Sequence, residues 1–268
     1  MNKLHWSVDY SYSSKLSRTK QIQENFQEEF KKILGDSLSS SPIDFNAKRK
    51  THRYTLLPNF WSGFKSGEDT NLNIGQVSIE RQRDEGEIWR YKIEHENTSS
   101  GEALSLNFYC DSKPARPLVD SWQIFTKNSA DGSYNSLSLT GEWNEQINGV
   151  RSVKMTTANG LVIVAGSIKH NETLTCNWAI FDILPLLRES ISMDRLAILD
   201  DLEVLKKDCY IKPLEAWVFE NGNEKYTFTG FCVFGKGLPP TYWWLTENGE
   251  VAVMSTMLTT YVLNGRSS

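Results

Sequence analysis

Two ionisable side chains in apolar surroundings are the candidates for acid–base chemistry. His95 follows Trp89, Tyr91 and Ile93 at every second position of a strand-like segment, so we expect it to point inward with them. A histidine in an aromatic groove could act as a general base near neutral pH. The alternative is a histidine in the core or at its rim that is hydrogen-bonded to a backbone carbonyl.

Asp182 is the second candidate, because it interrupts the apolar segment 176–190. A carboxyl group that is buried and unpaired has a raised pKa, which would suit Asp182 to act as an acid. Two alternatives stay open. Asp182 could face solvent on the same side as Pro185 and Glu189, or it could cap a helix that restarts at Pro185.

Aromatic side chains near these two residues could shape an apolar binding site. Trp and Tyr are common in such sites, although core packing is the alternative for each one. Strand alternation places Trp243 on the opposite face from its neighbours in the C-terminal aromatic run. The candidate ligand-binding residues are Trp89, Tyr91, Trp178, Phe181, Tyr242 and Trp243.

Other reaction centres have little support in the sequence. The four histidines show no metal-ligand spacing, and the cysteines form no CxxC pair, so we expect neither a metal nor a cofactor. The glycines and lysine of residues 235–240 lack P-loop spacing and precede a strand rather than a helix. The absence of a Gly-x-Ser-x-Gly motif disfavours a covalent hydrolase.

Length and charge limit the class of protein. A chain of 268 residues fits one large domain. A net charge of −4 leaves no basic excess for a nucleic acid backbone. The N-terminus lacks the apolar region of a signal peptide, and no apolar run reaches the length of a membrane span. We therefore expect a cytoplasmic protein whose four cysteines are reduced.

The elements that must position the candidate residues are one apolar helix and many strands. A helix over 176–190 is apolar nearly all round and must be covered on most sides, for which a curved antiparallel sheet is the natural cover. A second, amphipathic helix over 19–34 carries Ile22, Phe26 and Phe30 on one stripe. We expect this helix to pack on the outside of the sheet or on a partner, followed by a loop over 35–50.

Alternation and turn residues predict about ten strands, starting near Leu72. The apolar run Leu161–Ala165 is predicted to be a central strand that is covered on both faces. The predicted fold is α+β and mostly β, with an N-terminal extension over 1–50 and a single curved-sheet domain over 51–268. The other strands are predicted over 87–95, 104–108, 122–127, 137–143, 150–157, 214–220, 226–234, 241–246 and 251–261, with Asn-Gly turns at 221–222 and 248–249.

This layout resembles bacterial half-barrel proteins of the lipoprotein-carrier type and a related uncharacterised bacterial family. The resemblance covers residues 70–263 and depends on Asn73–Ile79 as a first strand pair, Asn177–Leu187 as the helix and Tyr242–Val251 as a tryptophan hairpin. It implies an apolar cavity between the helix and the concave sheet, with lipid-like or polyketide-like contents. It implies no reaction, and the export signals usual in those relatives are not recognisable in this chain.

Three functions follow as hypotheses. The first is binding of a hydrophobic small molecule, which is lipid-, polyketide- or terpenoid-like, in the groove between helix and sheet. The second is a cofactor-free cyclase, isomerase or lyase that uses His95 as base and Asp182 as acid. The third is a structural or interaction protein that docks through the helix over 19–34. Each is compatible with a homo-oligomer, and the sequence identifies no particular ligand.

Overall fold

The computed structural model describes residues 13–39, 47–59, 72–84, 87–128, 135–146, 149–187 and 195–267. His5, residues 40–46 of the predicted loop and residues 188–190 of the predicted apolar helix lie outside the described residues. The side chain of Ile22 also lies outside them, since only the backbone of residues 13–24 is described.

The described residues form two α-helices and fifteen strands. Helix α1 is Ser13–Leu38 and helix α2 is Ile180–Leu187. The first eight strands are β1 (Arg49–Pro58), β2 (Gly75–Arg83), β3 (Ile88–Asn97), β4 (Glu102–Asp111), β5 (Leu118–Asn128), β6 (Asn135–Gln146), β7 (Val150–Thr157) and β8 (Val162–Lys169). The remaining strands are β9 (Thr173–Cys176), β10 (Leu196–Asp200), β11 (Val204–Asn221), β12 (Glu224–Lys236), β13 (Leu238–Leu245), β14 (Val251–Ser255) and β15 (Thr259–Ser267).

All fifteen strands belong to one mixed sheet that nearly closes into a barrel. Its order is β8-β7-β6-β5-β4-β3-β2-β1-β15-β14-β13-β12-β11-β10-β9. Neighbouring strands are antiparallel except β9 and β10, which are parallel, so the prediction of a purely antiparallel sheet was wrong at this edge. Strand β1 pairs with both β2 and β15 and thereby joins the two halves of the chain.

Contacts between the two ends of the sheet bring it close to closure. Gly166 of β8 has a φ of +149°, and a Cβ there would lie 2.9 Å from the Leu205 side chain of β11. The Trp122 indole of β5 donates a hydrogen bond to the carbonyl of Leu202, at 3.1 Å. Because glycine leaves room for Leu205 against the backbone of β8, a side chain at position 166 would require the end of the Leu205 side chain to move.

Alternation along the strands separates two apolar layers. On β3, Trp89, Tyr91 and Ile93 are buried while the residues between them are exposed, which confirms the predicted orientation of this strand. His95 points the same way and is half-buried. These side chains join α2 in the larger apolar core, whereas the opposite face of the sheet contributes to a second, smaller core.

Helix α1 covers this second core on the outer face of the sheet. Ile33 and Leu34 are buried there with Leu57 and Phe219, and Phe30 contacts the Phe219 ring edge-on. The prediction that the amphipathic helix packs outside the sheet is confirmed for these residues. The described part of its apolar stripe, from Phe26 onward, therefore packs against the chain's own strands.

Helix α2 is shorter than the predicted apolar helix. Cys176 ends strand β9, residues Asn177–Ala179 form a 3₁₀ turn, and the α-helix starts at Ile180. The helix continues through Pro185 to Leu187. Five of its apolar residues are buried together with Asp182, as expected for a helix that is covered on most sides.

Two strand predictions were wrong for identifiable reasons. Residues 49–58 form β1 in the middle of the sheet, although no strand was predicted before Leu72. The run over 161–165 was predicted to be central, yet β8 is an edge strand and Val162 and Val164 are 54% and 63% exposed. A short apolar run does not by itself distinguish a central strand from an exposed edge.

Candidate functional site

Asp182 lies in a buried network of charges that joins α2 to three consecutive strands. Its carboxylate is 3.1 Å from the Lys50 ammonium of β1 and 2.9 Å from the Arg81 guanidinium of β2. The Tyr91 hydroxyl of β3 donates a hydrogen bond to it at 2.7 Å. Both ion pairs are almost completely buried. The charged groups have therefore lost their hydration, and the contacts with one another compensate for this loss.

This environment does not suit Asp182 for the acid role. Burial alone would raise the pKa of Asp182, but the charges of Arg81 and Lys50, together with the Tyr91 hydrogen bond, hold that pKa well below its usual range. The carboxyl group is therefore ionised at neutral pH and has no proton to give. The expectation of a raised pKa required an unpaired carboxyl, and the structure instead shows one with three partners.

A second group of buried charges adjoins this network through Arg81. The Arg81 guanidinium contacts the His52 imidazole, which lies 3.5 Å from the Glu250 carboxylate. Glu250 also pairs with Arg266 at 3.2 Å. Burial lowers the pKa of His52 to about 4, so this imidazole is neutral at physiological pH. The arrangement connects β1, β2 and β15 and is structural in character.

A cavity of about 160 Å³ lies between the start of α2 and the inner face of the sheet. Most of its wall is aliphatic or aromatic, and its polar groups are His95, two carboxylates, one amide, two threonine hydroxyls, one tyrosine hydroxyl and two indoles. The lining residues are His95, Leu104, Asn177, Trp178, Ile180, Phe181, Ile198, Asp200, Asp201, Val233, Leu238, Thr241, Trp243, Met254, Thr256 and Tyr261.

Hydrogen bonds and ring contacts fix the aromatic part of this wall. The Trp178 indole donates to the Asp201 carboxylate at 2.8 Å, and the Trp243 indole donates to the Thr241 hydroxyl at 2.8 Å. Between them, the Phe181 ring meets Trp243 edge-on with ring centres 4.8 Å apart. These contacts orient the rings without any ligand, so the site is preformed.

His95 lies on the cavity wall beside Trp178 and Tyr261, with ring centres 6.1 and 6.2 Å away. Burial lowers the pKa of His95, and the nearby Asp201 and Glu102 carboxylates offset only part of this shift. The imidazole is therefore neutral at pH 7 and able to accept a proton. Its position agrees with the predicted inward orientation.

Asp200 and Asp201 reach the cavity from the tight turn between β10 and β11. Asp201 and Leu202 both have positive φ angles, of 47° and 62°, which non-glycine residues seldom adopt. Burial and the adjacent Asp201 charge raise the pKa of Asp200 to about 6. Sequence analysis missed both carboxylates, because the charged stretch 194–208 lacks a glycine turn signal and strand alternation.

The structure brings together only some of the predicted site residues. His95, Trp178, Phe181 and Trp243 line the cavity. Asp182 and Tyr91 belong to the charge network, and the Trp89 ring lies beside it, 5.2 Å from the Lys50 ammonium. Tyr242 points to the outer face and stacks on Trp244. The predicted pairing of His95 with Asp182 in one groove therefore does not describe the cavity wall.

The described residues contain no candidate metal site, no membrane-spanning helix and no disulfide bond. No group of three or more His, Cys, Asp or Glu side chains in them could hold a metal ion. Of the helices described, none is long and apolar enough to cross a membrane. All four cysteines are unpaired, and Cys110, Cys176 and Cys209 are buried.

Comparison with known proteins finds a structural likeness at low sequence identity. The sequence matches no protein-family model and no curated protein. Among solved structures, the chain is similar to a beta-barrel-like protein of domain of unknown function DUF1849 from Brucella abortus, with a TM-score of 0.48 and 11% sequence identity. The alignment covers 82% of this chain and 97% of that one. The resemblance to lipoprotein carriers that was inferred from the sequence stays a prediction.

Proposed function

We propose that this protein binds a small hydrophobic molecule in the cavity between α2 and the inner face of the sheet. The observation that carries the proposal is a preformed space of about 160 Å³ whose wall includes Trp178, Phe181 and Trp243. Binding sites for small molecules are typically concave and mostly apolar, with a few placed polar groups. His95 and Asp200 supply such groups here.

The volume limits the size of the ligand. An apolar cavity of roughly 150 Å³ accommodates benzene, whereas drug-sized ligands occupy roughly 300–1,000 Å³. A complete lipid or polyketide would therefore not fit inside. We propose a ligand about the size of one ring, or a larger terpenoid or lipid that inserts one group of that size.

Toluene binding followed by methyl NMR tests this proposal. Met254 lines the cavity while Met257 is 64% exposed, so protein labelled with ¹³C at its methionine methyl groups contains both a probe and an internal control. We expect toluene to shift the Met254 signal in a saturable manner and to leave Met257 unchanged. No saturable shift of Met254 would overturn the proposal.

A matched pair of variants tests whether toluene binds inside the cavity. Ile198→Phe adds bulk inside the cavity, and Ile163→Phe makes the same change on the exposed edge strand β8. Toluene should no longer shift Met254 in Ile198→Phe and should still do so in Ile163→Phe. If Ile198→Phe is unstable, Leu104→Phe fills the same cavity from β4.

A second candidate function is a cofactor-free isomerase or lyase on the same site. It is favoured by two titratable side chains on one cavity wall, His95 and Asp200, of which Asp200 has its pKa raised to about 6 by burial and by Asp201. Asp200 would replace Asp182 as the carboxyl group. With any substrate that is turned over, His95→Ala should lower kcat by roughly 10²–10⁴-fold while toluene binding stays intact.

A further inference from the structure

The charge on the cavity wall has one sign. Asp200 and Asp201 are the charged side chains that line it, and no lysine or arginine is among its described lining residues. Burial lowers the pKa of His95, so this side chain adds no positive charge at neutral pH. A neutral apolar ligand would place no opposite charge beside these carboxylates.

The two carboxylates differ in what already binds them. Asp201 accepts hydrogen bonds from the Asn177 amide at 3.1 Å and from the Trp178 indole at 2.8 Å. Among the described residues, no side chain donates a hydrogen bond or forms an ion pair within 4 Å with the Asp200 carboxylate. Asp201 is thus engaged in holding Trp178, and Asp200 is available to a ligand.

Aromatic rings line the same space. Trp178 and Phe181 are nearly parallel, at 7°, and Tyr261 meets Trp178 edge-on at 73°. The faces of such rings attract cations, and aromatic cages closed by a carboxylate are a common way of binding ammonium groups. The cavity therefore combines an apolar body with two features that favour positive charge.

We propose that the ligand of this cavity is an organic cation, namely a small amine or ammonium group attached to an apolar body of about one ring. The ammonium group lies beside Asp200, and the body lies among Trp178, Phe181 and Trp243. This inference rests on the proposed binding function and adds the charge of the ligand to it.

The surroundings of Asp200 determine how binding depends on pH. Burial and the Asp201 charge raise the pKa of Asp200 to about 6, and Lys206 offsets part of this shift. A cation binds the ionised form, so its affinity should decrease as the pH falls below about 6. The other titratable groups near the turn or on the cavity wall with shifted pKa values are His95, Glu203, Cys209 and Tyr261.

Four probes of similar shape distinguish the effect of ligand charge on binding from the effect of ligand size. Toluene is apolar, benzyl alcohol is polar and neutral, benzylamine is cationic and benzoate is anionic at pH 7.5. We expect benzylamine to shift the Met254 methyl signal with a Kd about tenfold lower than that of benzyl alcohol. Benzoate should not bind measurably, because its carboxylate would lie beside Asp200.

The matched variants are Asp200→Asn and Asp84→Asn. Asp200→Asn removes the charge with little change in shape, whereas Asp84 is exposed and forms no part of the cavity. In Asp200→Asn, benzylamine should lose its roughly tenfold advantage over benzyl alcohol, because the amide carries no charge. Asp84→Asn should leave all four affinities unchanged.

The outcomes distinguish this inference from the function on which it rests. If toluene binds but benzylamine binds no better than benzyl alcohol, the ligand is not a cation, while the proposed binding function stands. Equal preference for benzylamine in Asp200→Asn and the wild type would also overturn the inference. If toluene gives no saturable shift of Met254, the proposed function itself fails.

Discussion

Replacing Asp182 by Asn should test how α2 is held inside the sheet. The substitution keeps the shape of the side chain and removes its charge. Lys50 and Arg81 then remain buried without the carboxylate that lies 3.1 and 2.9 Å from them. The Tyr91 hydroxyl can still donate its hydrogen bond to an amide oxygen, so the loss concerns mainly the two ion pairs.

The expected loss is large compared with the stability of a typical domain. Removing one partner of a buried ion pair costs about 3–5 kcal/mol, because the remaining charge stays desolvated. Globular proteins unfold with a free energy of about 5–15 kcal/mol. Asp182→Asn should therefore remove about a fifth or more of the total.

Urea unfolding followed by tryptophan fluorescence measures this loss, with Asp84→Asn as the control. Asp84 is exposed, so its substitution should change the free energy of unfolding by less than about 0.5 kcal/mol. An Asp182→Asn variant within about 1 kcal/mol of the wild type at pH 7 would refute the reasoning. It would mean that the two cations find other partners or that water reaches them.

The same pair of proteins should show a characteristic dependence on pH. Arg81 and Lys50 overcome the effect of burial and lower the pKa of Asp182 in the folded state. Its stabilising contribution is therefore fully present above the unfolded pKa of about 3.9 and is lost as the pH falls through the lower, folded value. The difference in free energy of unfolding between the wild type and Asp182→Asn should stay constant from pH 7 to pH 5 and should become smaller below about pH 4.

Three further predictions concern the core, the sheet edge and the cavity. Phe181→Ala should destabilise the protein by about 3–5 kcal/mol in urea unfolding, because its buried ring contacts Tyr54 and Trp243; a loss below about 1 kcal/mol would contradict this packing. Val164→Lys should change stability by less than about 0.5 kcal/mol, since β8 is an exposed edge, and a loss of several kcal/mol would restore the prediction of a central strand. Calorimetric titration should show benzylamine binding about fivefold more weakly at pH 5 than at pH 7.5, because Asp200 has its pKa raised to about 6 and becomes largely protonated, whereas pH-independent binding would exclude Asp200 as the partner.

Much of the sheet follows from local pattern. Alternating side chains on β3 were sufficient to place Trp89, Tyr91 and His95 inward. The Asn-Gly pairs at 221–222 and 248–249 coincide with turns between consecutive strands, where Gly222 and Gly249 have positive φ angles. These features depend on neighbours in sequence, which is why the sequence predicts them.

Strand β1 was not predicted because two of its inward positions carry polar side chains. Lys50 and His52 occupy two of the alternating buried positions, where an apolar residue would be expected. They are stable there only because Asp182 and Glu250, which are distant in sequence, lie against them. Local sequence patterns contain no information about such distant partners. For the same reason, the expectation of an unpaired Asp182 was wrong.

The cavity was foreseen only in part. Trp178, Phe181, Trp243 and His95 were identified from the apolar helix and from alternation, but their convergence depends on the order of strands in the sheet. Asp200 lies beside them because β10 inserts between β9 and β11, and β9 runs parallel to β10. A parallel pair requires a long crossover connection. Residues that are close in sequence do not show which strands such a connection will bring together.

A crystal structure with bound iodobenzene would test the central claim most directly, because the anomalous scattering of iodine locates the ligand without any assumption. The account predicts a peak within the cavity, in contact with Trp178, Phe181 and Trp243, and no such peak in Ile198→Phe crystals treated in the same way. A cavity without iodine in the wild type, with peaks only on the exposed surface of β8 or elsewhere, would contradict it.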